Sequence, residues 1–324
     1  MASVHSAPVN PAEHAARVKS RARDLGFDQV GITDLSDPPH ALALRRWLDQ
    51  GMAGTMSYMH RQAALRSEPW RIVPHATRAV VLSKGYYVDD PPARPGCGRV
   101  AKYARGRDYH SALAGSLEKL ATYIRELGTV DTVTRCFVDA GPVPERELAQ
   151  RAGLGWIGKN TMLISPGRGS YTFLAAIMTD LQLAVDPPFE ADRCGTCRRC
   201  LDACPTGAFP EPRVLDARRC LSYLTIENHG SLDPALAQLM DEWVFGCDVC
   251  QEVCPWNVRF ATESSSTSPL EQSQEFAWLE LDVLSIITDE EFRTRFRGTA
   301  LERAGAGGLR RNAQLVRENQ RPHA

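Results

Sequence analysis

Residues 194–205 read CGTCRRCLDACP and residues 246–257 read GCDVCQEVCPWN, and the spacing of their cysteines decides how the chain is built. In the first stretch Cys194, Cys197, Cys200 and Cys204 stand three, three and four positions apart, with proline directly after the last. Such a run lets one tight loop present three thiolates to one 4Fe-4S cluster while the fourth crosses to a second cluster. The second stretch repeats the pattern with Cys247, Cys250 and Cys254 but is one ligand short, and Cys220 is the nearby cysteine able to complete it. The eight thiols thus divide into Cys194, Cys197, Cys200 and Cys254 for one cluster, and Cys204, Cys220, Cys247 and Cys250 for the other. Paired CxxC motifs also suit tetrahedral zinc. Neither group offers a histidine, however, and zinc gives no reason for a cysteine-proline ending seen twice. Low-potential one-electron transfer is the role to expect.

Eight of the ten cysteines fall within 61 of the 324 residues, so they form a local site and not a scaffold of disulfides. Cys136, in the strand-like TRCFVD, reads as a core residue, and Cys97, in PGCGR, as a loop thiol. A hydrophobic content of 43% with a net charge of -1 supports a large core and excludes disorder as the main state. No apolar run approaches a membrane span, and no apolar segment follows a basic start, so a cytoplasmic protein without membrane contact is expected. The near-zero charge hides an asymmetry. Residues 293–324 carry eight arginines against two glutamates, which points to an anion-binding end.

Upstream of the cysteines, helical and strand-like stretches alternate. Pro11 to about Leu25, ALALRRWLDQG and DYHSALAGSLEKLATYIRELG have helical periodicity, whereas LGFDQVGITDL, RAVVLSKGYYV and TRCFVDAG read as strands. The alternation predicts an α/β layer structure over residues 1–185. Residues 186–260 have too little hydrophobicity for a core of their own, so metal must supply part of their folding energy. A helix is expected over LDPALAQLMDEWVFG between the cysteine groups. ATESSSTSPLEQSQE reads as a polar connector, and the rest of 261–324 reads as helical and arginine-rich.

The glycine-rich 138–171 segment suggests backbone approach to a large planar or phosphate-bearing ligand. Its Gly153, Gly155 and Gly158 match GxGxxG in letters, but a helix-like stretch precedes them, so the dinucleotide fingerprint fails. Asp139 follows a strand-like stretch and precedes Gly-Pro. That position suits a site carboxyl whose pKa burial would raise, and it suits a turn cap equally. Asp108, Tyr109 and His110 read as easily as a helix start, with Asp108 as cap and His110 in the first turn, as a ligand site.

GMAGTMSYMHR (51–61), YARGRDYH (103–110), VDAGPVPERELAQRAGLGWIGKN (138–160), CGTCRRCLDACPTGAF (194–209), LDARRCLSYLTIE (215–227), GCDVCQEVCPWN (246–257) and GLRRN (308–312) together resemble the epoxyqueuosine reductase family. The resemblance implies a nitroreductase-like α+β sandwich that binds base-off cobalamin, a ferredoxin-like domain with two 4Fe-4S clusters, and C-terminal helices. It implies reduction of epoxyqueuosine to queuosine at the wobble position of tRNA, the last step of queuosine formation. Electrons would pass through the clusters to cob(II)alamin to give a low-valent, nucleophilic cobalt, with Asp139 as proton donor. Tyr58, Arg61, Asp139, Asn160, Ser222, Tyr223, Cys247 and Asp248 are the implied cobalamin contacts. None of the histidines is assigned to cobalt, because DxHxxG is absent.

The implied substrate is an anticodon stem-loop, for which Arg218, Arg219, Arg310 and Arg311 are the candidate phosphate contacts. The implied electron donor is a flavodoxin or ferredoxin, and a monomer is expected. Longer members continue into a HEAT-like repeat, whereas this sequence has room for a helix or two after Trp278, the pattern of a short form. A dehalogenase-like enzyme and a non-catalytic electron carrier are the competing readings.

Overall fold

The computed structural model describes residues 10–262, Leu270 and residues 274–321. Its nine strands are β1 (Gln29–Asp34), β2 (Arg78–Gly85), β3 (Cys97–Val100), β4 (Thr134–Phe137), β5 (Trp156–Ile157), β6 (Leu163–Ile164), β7 (Thr172–Thr179), β8 (Trp243–Phe245) and β9 (Trp278–Glu280). The main sheet runs β1-β2-β7-β4 with every neighbour antiparallel, Ile32 opposite Val80, Val80 opposite Ile177 and Phe137 opposite Ala176.

Alternation along β2 and β7 sorts the core into two layers. Val80, Leu82, Ala175 and Ile177 pack against the helices Pro11–Asp24 and Tyr109–Leu127 through Val18, Ala22, Leu117 and Leu120. Ala79, Val81, Ala176 and Met178 face the opposite way, onto Leu148 and Ala149 of the helix Glu145–Arg151. The result is the expected α/β sandwich. Asp108 caps the Tyr109–Leu127 helix by accepting from the His110 N–H at 3.0 Å.

A second core joins residues distant in sequence. β3 lies between β8, which it pairs in parallel, and β9, which it pairs antiparallel. Around this sheet Val100, Leu224, Phe245, Leu279, Leu284, Phe296, Leu309 and Val316 form one apolar cluster. The boundary expected between residues 260 and 261 therefore marks no break in packing. After Trp278 the chain forms the helices Leu281–Ile286, Asp289–Phe296 and Gly305–Asn319 with a 3-10 turn, Ala300–Ala304, more than the expected helix or two.

Two expectations need correction. LDPALAQLMDEWVFG is not one helix: the short helix Pro234–Ala237 and a 3-10 turn stop at Asp241, whose φ is +51°, and WVF becomes β8. Cys97 is not a loop thiol. It is buried in β3 opposite Glu280. Cys136 is half-buried in β4 against the first core, its thiol pushed up to about 12 by burial and the nearby Glu118. The polar connector 261–275 lies largely outside the described residues. Among the described residues no helix is long and apolar enough to cross a membrane.

Candidate active site and cluster pockets

Each cysteine run folds into a loop and one short helical turn, Arg199–Asp202 or Val249–Glu252, followed by the cysteine-proline step. Pro255 opens the helix Pro255–Phe260, where its missing N–H costs nothing. Cys194, Cys197, Cys200 and Cys254 ring a cavity of about 230 Å³, the space of a multi-atom cluster and not of a single ion. Burial pushes the Cys200 thiol up to about 11, and Cys194, Cys254 and Cys197 facing it add to the rise. In the second set Cys247 is raised by burial with Cys220 and Cys204 beside it, and Cys250 by burial with Cys247 and Cys220. Four thiols converging on one pocket suit the iron of a cluster, which takes them as thiolates. Each set of four thiols lies together, the Cys194 set outer and the Cys220 set inner and more deeply buried.

Neighbouring groups hold these loops. Lys159 Nζ donates to the Gly195 and Cys197 carbonyls at 2.6 and 2.9 Å, and Trp156 Nε1 donates to Cys194 Sγ at 3.4 Å. The GLGWIGKN glycines thus serve packing: a Cβ on Gly155 would sit 2.2 Å from the Ile164 carbonyl oxygen across the β5–β6 hairpin. Asn160 is buried with its amide donating to the Cys250 carbonyl at 3.3 Å, and Asp248 is buried accepting from the Lys102 N–H at 2.7 Å. Burial raises Asp248 to about 6. Asp90, which burial alone would raise, is instead held at about 2 by its bonds from Lys102 and Arg105. Asp248 thus fastens residues 99–105 to the inner cluster loop, and Asp90 fastens them to the segment before β3.

A cavity of about 800 Å³ opens beside the main sheet, walled by Trp47, Arg66, Asp139, Glu145, Arg146 and Trp156 among others. Asp139 reaches it from the turn after β4 with φ at +46°, a left-handed conformation that aspartate tolerates better than most residues. Three contacts fix the turn. Tyr109 donates its hydroxyl to Asp139 Oδ2, the Asp139 N–H donates to Glu145 Oε1 at 2.7 Å, and Arg66 donates to the Gly141 and Val143 carbonyls at 3.0 and 3.1 Å. Burial raises Tyr109 far above its ordinary value, so it is a neutral donor, its ring stacked 4.1 Å from Phe173. Asp139 itself is exposed on the cavity wall. The raised carboxyl is its neighbour Glu145, lifted to about 8 by burial and then by the charge of Asp139.

The cavity suits a large cofactor. Arg66 Nε is buried and finds no hydrogen-bond partner among the described residues, a donor awaiting a ligand acceptor on this wall. Of the other expected contacts, Tyr58 is half-buried and close enough to Asp139 to feel its charge, although burial is what raises its pKa. Tyr223 is committed elsewhere, its hydroxyl accepting from the Thr55 N–H at 2.7 Å. Ser222 bonds to Cys220, and Arg61 is exposed, bonded to Ser57 at 2.6 Å. Sequence reasoning missed Glu145, Arg66 and Trp156. Glu145 and Trp156 lie inside the motif quoted for the resemblance, but side chains converging from several elements leave no periodic signal.

Arg218 and Arg219 are exposed on the 3-10 turn Ala217–Arg219, Arg218 forked onto Asp216 at 2.8 Å. Arg310 and Arg311, the other expected phosphate contacts, are half-buried and bonded within the chain. Arg310 donates to the Ile287 carbonyl at 2.7 Å and to Asp289 at 2.9 Å. Arg311 is half-buried and donates to the Leu224, Asn228 and Gly230 carbonyls at 2.7, 2.6 and 2.5 Å. Arg311→Ala is expected to destabilise the protein by about 2–4 kcal/mol, read as a lower urea midpoint, because charge-assisted bonds to three carbonyls vanish. An unchanged midpoint would return Arg311 to the surface set.

Residues 193–257 match the 4Fe-4S double cluster binding domain family, and residues 66–140 match the family described as Epoxyqueuosine reductase QueG, DUF1730. The chain is 43% identical over 304 residues to the epoxyqueuosine reductase of Pseudomonas aeruginosa, covering 92% of this chain and 83% of that one. It superposes with a TM-score of 0.85 and 30% identity on a crystal structure of epoxyqueuosine reductase with an epoxyqueuosine-modified tRNA-Tyr stem loop, covering 95% of this chain and 81% of the other. The Bacillus subtilis epoxyqueuosine reductase, solved with its catalytic aspartate loop swung out of the active site, gives a TM-score of 0.83 at 30% identity over 95% and 82% of the two chains.

Proposed function

The chain belongs to the epoxyqueuosine reductase family, and from that premise we infer that Asp139 is the acid that protonates the epoxide oxygen as the ring opens. The reaction is reduction of epoxyqueuosine to queuosine in tRNA, with two 4Fe-4S clusters and cobalamin as cofactors. When bound, these cofactors supply the two electrons of the reduction. The observation that carries the assignment of Asp139 is its left-handed backbone on the wall of the large cavity, held by Tyr109 and Glu145. A carboxyl so fixed is oriented before substrate arrives, which is where much of the advantage of a general acid lies. The aspartate loop that is catalytic in the Bacillus subtilis relative supports the same reading.

The two cysteine sets are proposed as the ligands of the two clusters, four thiolates each. Tyr58, Asp139 and Arg66 are the proposed cobalamin contacts at the cavity. The tRNA stem-loop is the macromolecular partner, and Arg218 and Arg219 are proposed to grip its phosphates. Both stand on the segment that carries Arg213 and Leu215 into the cavity wall.

Electrons are proposed to enter at the Cys194 set. Its loop is ringed by the exposed Arg193, Arg198 and Arg199, a rim complementary to an acidic one-electron carrier of the flavodoxin or ferredoxin kind. Arg198→Glu combined with Arg199→Glu is expected to slow cluster reduction by flavodoxin hydroquinone about tenfold at low salt, leaving reduction by dithionite unchanged. Equal rates with flavodoxin would move the docking face elsewhere. The protein is proposed to act as a monomer.

The function is tested by anaerobic reconstitution with iron, sulfide and cobalamin, followed by turnover of an epoxyqueuosine-modified stem-loop with a low-potential reductant. Queuosine in the product RNA is expected. Two assembled clusters with no bound corrin and no turnover would favour an electron carrier instead.

A further inference from the structure

Reducing an epoxide to an alkene takes up two electrons and two protons and releases one water. The first proton goes to the oxygen as its C–O bond opens, and the second to the resulting hydroxyl as it leaves. A single carboxylic acid holds one proton, so Asp139 must be recharged between the two transfers. Beside it, on the same cavity wall, stands Glu145, whose Oε1 accepts the Asp139 N–H at 2.7 Å. We propose that Glu145 is the proton relay that recharges Asp139 within each catalytic cycle, an inference that rests on the epoxide reduction proposed above.

The groups that act most on Glu145 come from three elements, with the neutral Tyr109 phenol beside them. Asp139 approaches from the turn after β4, Arg66 from the helix Ala63–Ser67, and Arg146 from Glu145's own helix. Arg66 spends its guanidinium on the Gly141 and Val143 carbonyls and on Gln62, and Arg146 donates to the Thr161 carbonyl at 2.6 Å. Among the described residues neither arginine forms an ion pair with Glu145, so its carboxylate is not pinned in the charged form. Burial first, and then the charge of Asp139, lift it to about 8, so at neutral pH Glu145 holds a proton, and its Oε1 stays tied to the Asp139 backbone N–H at 2.7 Å. Tyr109 occupies Asp139 Oδ2, which leaves Oδ1 for the exchange. Both carboxyls are then reprotonated from solvent before the next cycle, so that each turnover draws two protons from water.

Glu145→Gln tests the relay, because glutamine keeps the acceptor for the Asp139 N–H but carries no exchangeable carboxyl proton. In the holoenzyme the variant is expected to keep its iron, cobalamin and stem-loop affinity while turnover falls tenfold or more. The parental decline in rate as pH rises through about 8, where Glu145 ionises, is expected to disappear. In the infrared spectrum of the resting holoenzyme, the protonated-carboxyl band that titrates in the same range should vanish with the substitution. Glu145→Asp should restore part of the turnover and the alkaline decline. A parental pH profile in Glu145→Gln overturns the proposal, and so does a rate lowered by one factor at every pH, which is the mark of a residue that only holds the turn. A parent enzyme that fails to turn over the stem-loop overturns the function instead. The infrared band, read without substrate, still decides whether Glu145 carries the proton.

Discussion

Asp139→Asn is expected to keep about eight irons per chain and full cobalamin occupancy while losing about 10²–10⁴-fold in turnover of the modified stem-loop. The size follows from what asparagine preserves. It tolerates the left-handed backbone that the turn imposes, so φ near +46° remains accessible and the loop does not refold. Its N–H still donates to Glu145, and its amide oxygen can still accept from the Tyr109 hydroxyl. Only the transferable proton is lost. A fall confined to turnover, with KM for the stem-loop unchanged, would assign Asp139 to the chemical step and not to substrate binding. Turnover within twofold of the parent would remove it as the acid and leave Glu145 as the first candidate on that wall.

The fold was legible where local pattern and burial agree. The helices Pro11–Asp24 and Tyr109–Leu127 and the strands β1, β2 and β4 carry their own periodicity, and the two cysteine runs carry their own spacing. β3 and β8 were not legible. CGRV and WVF are short, and each becomes a strand only because the other, together with WLE of β9, arrives from more than a hundred residues away. Pairing of that kind leaves no mark in a local window. The arginine-rich end misled for a related reason. Charge count cannot distinguish a guanidinium that faces water from one that, like Arg311, closes three carbonyls at the end of another helix. At the site, sequence singled out the acid but not its neighbour. Glu145 looks like any first-turn glutamate of a surface helix until the turn after β4 lays Asp139 against it. Glu145, six positions along the chain from Asp139, is the carboxyl on that wall that burial raises, and nothing in its local sequence marks it.

Cys220→Ala is expected to lower iron from about eight to about four per chain, although Cys220 lies far in sequence from both cysteine runs. Its position explains the reach of the effect. Cys220 ends the 3-10 turn Ala217–Arg219 and N-caps the helix Leu221–Ile226, which packs into the second core through Leu221 and Leu224. A rigid element therefore delivers its thiol, and burial raises that thiol's pKa with Cys204 facing it. With alanine there, Cys204, Cys247 and Cys250 offer three thiolates to a site that needs four, and no other described cysteine can reach it: Cys97 is buried in β3 and Cys136 sits in β4. The outer set, Cys194, Cys197, Cys200 and Cys254, keeps all its ligands and should retain its cluster. The reduced variant should then show one isolated paramagnetic signal in place of two magnetically coupled ones. Because electrons are proposed to pass through both clusters in turn, turnover should fall to background even with the outer cluster intact. Stability should fall as well, since cluster binding contributes folding free energy. Cys97→Ser and Cys136→Ser serve as controls and should leave iron unchanged. An iron content still near eight in Cys220→Ala would break the partition of the eight thiols, and with it the route by which electrons reach the cavity.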